Sequence, residues 1–158
     1  MNRPIPDGYH TITPHLTIRD CARAIEFYRS AFGAEVVQSA IGPGGKVMHA
    51  LLKIGDSHIM MADEFPEMGE GVSKSPAALG GTTSVLNVYC ADADAWYERA
   101  VKAGATGKMP PADMFWGDRY SQVVDPFGHA WAIATHTEDV SSAELAERQK
   151  KLFGGGSP

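Results

Sequence analysis

The chain has 158 residues, 44% of them hydrophobic, and a formal charge of −5, which suffices for one well-buried core or for two small modules sharing one. An acidic balance without any Lys/Arg cluster excludes nucleic acid as an expected partner. No apolar run approaches the roughly 18 residues of a membrane span, and the opening Met1 to Asp7 lacks the apolar stretch of a signal peptide, so no membrane association and a cytoplasmic location are expected.

In chain order, Thr11 to Ile18 alternates as a half-buried strand does, and Asp20 is placed to cap a helix from Cys21 to Phe32. Cys21, Ile25, Tyr28 and Phe32 recur on one face of that helix, and Gly33 ends it. Strands are predicted at Glu35 to Ser39, Lys46 to Ile54 and Ser57 to Ala62, separated by the Gly42-Pro43-Gly44-Gly45 and Gly55-Asp56 turns. The segment 63–82 is rich in Gly, Pro, Ser and Glu and reads as a connecting loop, long enough to cover part of a cavity. A fifth strand follows at Ser84 to Cys90, then a helix opened by Asp92 with Trp96, Ala100 and Ala103 on one face. Thr106 to Met109, Tyr120 to Val124 and Ala130 to Thr135 complete the set, with an Asp125-Pro126-Phe127-Gly128 turn before the last strand. Ser141-Ser142-Ala143-Glu144 has the form of a capping box for a helix reaching Phe153, and Gly154 to Pro158 is expected to be disordered.

The order strand, helix, three strands occurs twice. Asp20, Gly33 and Gly55 are repeated by Asp92, Gly104 and Gly128 at offsets of 72, 71 and 73 residues, which argues for a duplicated module. The expected organisation is an α+β chain with βαβββ modules at 9–62 and 83–137, the connecting loop at 63–82, and a C-terminal helix and tail at 138–158. Cys21 and Cys90 have no metal-ligand spacing and read as reduced, packed thiols.

Several segments together carry a resemblance. Thr13-Pro14-His15-Leu16, Asp20, Ala24-Ile25-Glu26-Phe27-Tyr28, Phe32-Gly33-Ala34, Gly55-Asp56 and Asp125-Pro126-Phe127-Gly128-His129 resemble the vicinal oxygen chelate superfamily, which includes glyoxalase I, extradiol dioxygenases and bleomycin-resistance proteins. Lys46 to Ala50, Ala62 to Pro66 and Phe115 to Tyr120 are similar to its branch labelled as demethylubiquinone methyltransferase homologues. The resemblance spans roughly residues 9 to 137. It implies paired βαβββ modules whose sheets curve around a U-shaped cavity, commonly within a homodimer, and a divalent metal held by His, Gln or Glu.

The resemblance places the metal-ligand positions at Thr13, near Met60, at Val85 and at Ala132, seven residues after Asp125. None of these side chains is a competent ligand for a divalent cation, so no metal cofactor is expected. Strand alternation then turns His15, Thr17, His58, Met60, Asn87, Tyr89 and His136 toward the cavity. Phe115 and Trp116 are candidates for stacking on a flat ligand, and Arg119 for gripping a carboxylate or phosphate unless it pairs with Asp118. Trp96 and Trp131 read as core, and His129, directly after a turn glycine, as exposed. His15, His58 and His136 would suffice for zinc in an unconventional site, but they lie on different strands with no carboxylate in view to orient the rings.

The leading expectation is a protein that binds a small aromatic or amphipathic molecule in the cavity. The alternative is a lyase, isomerase or dioxygenase of the glyoxalase type, with a displaced Zn, Ni, Mn or Fe ion or with His15 as general base. Despite the branch label, no S-adenosylmethionine motif is visible, and methyltransferase activity is not expected.

Overall fold

The computed structural model of the chain describes residues 4–69 and 73–154. Two four-stranded mixed sheets are built alike, each in the order first, fourth, third, second strand. The first contains β1 (His15–Ile18), β2 (Glu35–Ile41), β3 (Val47–Ile54) and β4 (Ser57–Asp63). The second contains β5 (Val85–Tyr89), β6 (Thr106–Asp113), β7 (Asp118–Val124) and β8 (Ala130–His136). Helix α1 (Cys21–Phe32) follows β1, and α3 (Ala93–Lys102) follows β5. The repeated βαβββ order read from the sequence is the order observed, and the fold is α+β.

Capping explains where the first helices begin. Asp20 accepts the Arg23 N–H and Asp92 the Ala95 N–H, each relieving one unpaired donor of a first turn. Asp63, at the end of β4, adds a buried tie: its carboxylate accepts the Cys21 N–H at 2.9 Å and the Val47 N–H at 2.7 Å, so one side chain fixes the starts of α1 and β3. Burial beside Asp63 and Asp20 pushes the Cys21 thiol up to about 12. Both cysteines are free thiols.

The sheets share no ladder with each other. The helix layer joins them: α1 buries Ala24, Phe27, Tyr28 and Phe32 in one core that continues through Val123, Trp131 and Ile133 of the second sheet. Phe32 stacks on Trp96 and leans on Trp131, and Phe27 meets Phe127 edge-on. The deepest polar tie is at Asp125. It accepts the Tyr28 hydroxyl at 2.6 Å, the Trp131 Nε1–H at 3.0 Å, and the N–H groups of Phe127 and His129 at 2.9 Å each. Burial, then the neighbouring Asp125, hold the Tyr28 hydroxyl well above its ordinary pKa.

Several strand ends differ from expectation, those of β1 and β6 for local reasons. β1 starts at His15 rather than Thr11 because Pro14 has no N–H, although its carbonyl still accepts from Met60 at 2.8 Å. β6 runs through Pro110 and Pro111 to Asp113, which an edge strand with register shifts tolerates. β7 starts at Asp118 rather than Tyr120. The connecting segment carries a short helical turn at Pro66–Met68 and α2 (Pro76–Leu79). Gly128 permits α2 to seat there: its φ is 93°, and a Cβ on it would come within 2.8 Å of Pro76 Cβ. Helix α4 (Ser142–Phe153) is capped by Ser141 as expected. The tail expectation falls on residues 155–158, outside the described residues. Among the described residues, no helix is long and apolar enough to cross a membrane.

Candidate functional site

Each sheet has one face under its helix and one face free of helices. Register fixes which residues share the free faces. On the first sheet His15 pairs with Met60 and Thr17 with Ala62, and Lys53 lies opposite His58. On the second, Val85, Asn87 and Tyr89 pair with Ala130, Ala132 and Ala134, and Asp118 pairs with His136. The residues expected to share a face on each sheet are paired on one.

At the seam between the modules, a cavity of about 470 Å³ lies beside β5, the edge strand of the second sheet. That volume suits a small organic ligand. Trp96, Trp131, Leu86 and Val88 give it apolar walls, while Thr13, His58, Asn87 and Tyr89 supply polar groups. Trp96 and Trp131 thus serve both the core and the cavity. His58 also fastens the N-terminal segment: its Nδ1 lies 2.7 Å from the Gly8 carbonyl, and its ring stacks on Tyr9 with centroids 4.7 Å apart.

Tyr89 links this cavity to a polar cluster centred on Asp118. Asp118 Oδ2 accepts the Tyr89 hydroxyl at 2.9 Å and the Trp116 Nε1–H at 3.1 Å, and Oδ1 faces His136 Nδ1 at 3.0 Å. The other ring nitrogen of His136 faces Asp139 at 3.0 Å. Asp118 is only 6% exposed. Burial would push its carboxyl up, but the donors from His136, Tyr89 and Trp116 outweigh burial and hold it below the usual carboxylate range. Hydrogen bonds to Asp118 and Asp139 raise His136, and the bond to Asp118 raises the Tyr89 hydroxyl. The cluster presents a fixed phenol and indole beside two carboxylates and an imidazole.

The loop that carries Trp116 is braced from behind. The Gly117 carbonyl accepts the N–H groups of Thr137 and Glu138 at 2.9 and 3.0 Å, and with φ at 97° a Cβ at Gly117 would strike the Glu138 carbonyl. Arg148 of α4 donates to the Phe115 carbonyl, and Phe115 meets Trp116 and Phe153 edge-on.

Three expectations need correction. A carboxylate does orient His136, namely Asp118, with Asp139 on its other side. Arg119 does not pair with Asp118. It lies on the helix-covered face, bound in a fork to Asp94 at 2.8 Å and facing Asp113 at 3.3 Å, because β7 alternation separates it from Asp118. His129 is 7% exposed rather than open, because the Asp125 turn folds it inward. The imidazoles of His15, His58 and His136 do not assemble, and among the described residues no three His, Cys, Asp or Glu side chains form a group able to hold a metal ion. His15 and Thr17 line a separate cleft, Met60 lines neither hollow, and Phe115 backs Trp116.

Comparison with known proteins decides the family. The family model of the Glyoxalase/Bleomycin resistance protein/Dioxygenase superfamily matches residues 9–133. The chain belongs to this superfamily. It is 41% identical over 134 residues to the uncharacterized protein Rv0887c of Mycobacterium tuberculosis, covering 85% of this chain and 79% of that one. Among solved structures it is similar to TioX from Micromonospora sp. ML1, with 27% identity, a TM-score of 0.64, and coverage of 80% of this chain and 98% of TioX. It also shares its fold with a PhnB protein from Bacillus cereus, at 18% identity and a TM-score of 0.60, covering 80% of this chain and 99% of that one.

Enzymes of the kind the resemblance invokes hold a divalent metal, and the donor set of this chain can be compared with that. The resemblance puts the corners at Thr13, Met60 or a neighbour, Val85 and Ala132, and Ala132 is paired with Asn87 in mid-sheet. Methyl, isopropyl, thioether and hydroxyl groups do not make a divalent site. The residues at the superfamily's metal corners do not fit the ion.

Proposed function

We propose that the chain binds a small planar aromatic or amphipathic molecule, cationic or neutral, in the seam cavity and against the Asp118 cluster, without the superfamily's metal. The observation that carries this reading is the joining of the two features by Tyr89: apolar tryptophan walls on one side, and a carboxylate pair around His136 on the other. Such a site offers stacking surface together with negative potential, which favours a flat cation. The corner residues support independence from a metal. Calorimetric titration with proflavine, a planar aromatic cation, tests the reading. Saturable binding that survives EDTA and weakens in Trp116→Ala is expected; no saturable binding at millimolar proflavine overturns it.

A homodimer belongs to the same proposal. All of β2 is exposed, and Val36, Val37, Ile41 and Met48 present an apolar edge that a second copy would cover. Sedimentation equilibrium should give twice the chain mass, and Val37→Glu with Ile41→Lys should return the monomer.

A glyoxalase-type enzyme is the second reading, and the position of His15 favours it. Burial, and then the neighbouring His49, lower the His15 pKa, which keeps the ring neutral and able to accept a proton. Elemental analysis of protein purified without chelators separates the two. A stoichiometric divalent ion lost in His15→Ala would replace the binding reading.

A further inference from the structure

A second hollow of about 600 Å³ lies at the start of β5, between β1, the segment running from Lys74 through α2 to Ser84, and the start of β8. It shares only Leu86 with the seam cavity. Its polar lining differs in kind. Lys74, His15 and His129 face it together with Thr17, Thr82 and Thr83, and among the described residues no carboxylate lines it. In a chain of net charge −5, a hollow with an ammonium, two imidazoles, several hydroxyls and no acid is selective by charge.

Contacts around the hollow shape its walls, and the acid beside His129, Asp125, lies behind it and does not line the hollow. Glu64, which accepts the Ser75 N–H beside Lys74, is itself held by Arg19 at 2.5 Å. His129 is buried, and its Nδ1 has no hydrogen-bond partner; that nitrogen sits 3.6 Å from Asp125 Oδ2, beyond bonding range. His129 is nonetheless among the residues that line the hollow. Thr82 Oγ1 and Ser84 bond each other, shaping the loop that forms the rim. Contact between Pro76 and Gly128 sets α2 against the turn that carries His129.

We propose that this hollow is a binding site for a small organic anion, a carboxylate or phosphate ester, held by Lys74, His15 and His129. The site is independent of the seam cavity and does not rest on the function proposed for it. An ammonium and N–H donors converging on an oxyanion give charge-assisted hydrogen bonds, and the threonine hydroxyls can complete an oxyanion's remaining acceptor positions.

The test is a titration of the full chain with inorganic phosphate and, separately, with benzoate, at ionic strength fixed with sodium chloride. Ring-proton resonances of the histidines report it by NMR. Saturable shifts at His15 and His129, with His10 and His136 unmoved, are expected. Saturation by benzoate alone assigns a carboxylate, and saturation by phosphate alone assigns a phosphoryl group. Lys74→Ala should weaken binding about tenfold and Lys74→Glu should abolish it, with proflavine binding at the seam unchanged in both. Neither anion saturating, all histidines moving alike, or a Lys74→Glu protein that binds as before would overturn the site.

Discussion

Asp118 and Asp125 are built from the same parts and do different work. Each accepts a tyrosine hydroxyl and a tryptophan Nε1–H and faces a histidine: Tyr89, Trp116 and His136 for one, Tyr28, Trp131 and His129 for the other. Both carboxylates are buried, at 6% and 4% exposure. The partners differ. Around Asp125 they are core residues drawn from both modules, so the cluster fastens α1 to the second sheet. Around Asp118, Tyr89 is 64% exposed and His136 is open to solvent. One cluster spends its hydrogen bonds on assembly, and the other holds aromatic and polar groups rigid where a ligand can reach them.

Substituting the two acids should separate these roles. Asp125→Asn leaves an amide NH₂ against buried donors and should cost about 3 kcal/mol or more of unfolding free energy in urea. Asp118→Asn should cost about 1 kcal/mol, because water can serve its exposed partners, yet it should weaken proflavine binding about tenfold. If both substitutions destabilise equally and affinity stays constant, the distinction fails. Removing single hydroxyls refines it: Tyr28→Phe should lose about 1–2 kcal/mol, and Tyr89→Phe should stay within about 0.5 kcal/mol.

The Asp118 cluster should also respond to pH. His136 is raised in the folded state, so its contribution to stability is present below its ordinary value of 6.5 and is lost as pH rises through the folded value. Asp118 is lowered, so its contribution is present above its ordinary value of 3.8 and is lost as pH falls through the folded value. The pair therefore stabilises most between pH 3.8 and 6.5. An NMR titration of His136 should give a midpoint above 6.5 that drops in Asp118→Asn. The smallest effect is expected at Arg119→Gln, whose partly exposed ion pairs lie on the helix side. Stability in urea should be nearly unchanged, with affinity unaltered.

Local rules made most of the fold legible. Asp20, Asp92 and Gly33 marked helix ends through capping chemistry that depends on neighbouring residues alone. Alternation along β1, β4, β5 and β8 gave the residues of the free faces because pleating has a fixed period. Alternation alone starts β7 at Tyr120, which leaves Asp118 outside the strand. Beginning that strand two residues earlier puts Asp118, Tyr120 and Gln122 on one face, opposite His136, Ala134 and Ala132. The engagement of Arg119 by Asp94 was not readable, since it depends on how α3 lies across the sheet. The seam cavity was hidden for the same reason. Trp96 and Trp131 have the signature of core residues, and only the relative placement of two modules leaves space beside them. The same placement splits His15 and Thr17 from His58, Asn87 and Tyr89.

The central claim is a ligand site that works without the superfamily's metal, and the chain's three tryptophans report on it. Two line the seam cavity and the third touches Asp118. Tryptophan fluorescence should therefore be followed during proflavine titration of protein stripped with EDTA and of the same protein resupplied with zinc or nickel. Superimposable saturating curves are predicted. A response that appears only after the ion is returned would contradict the claim.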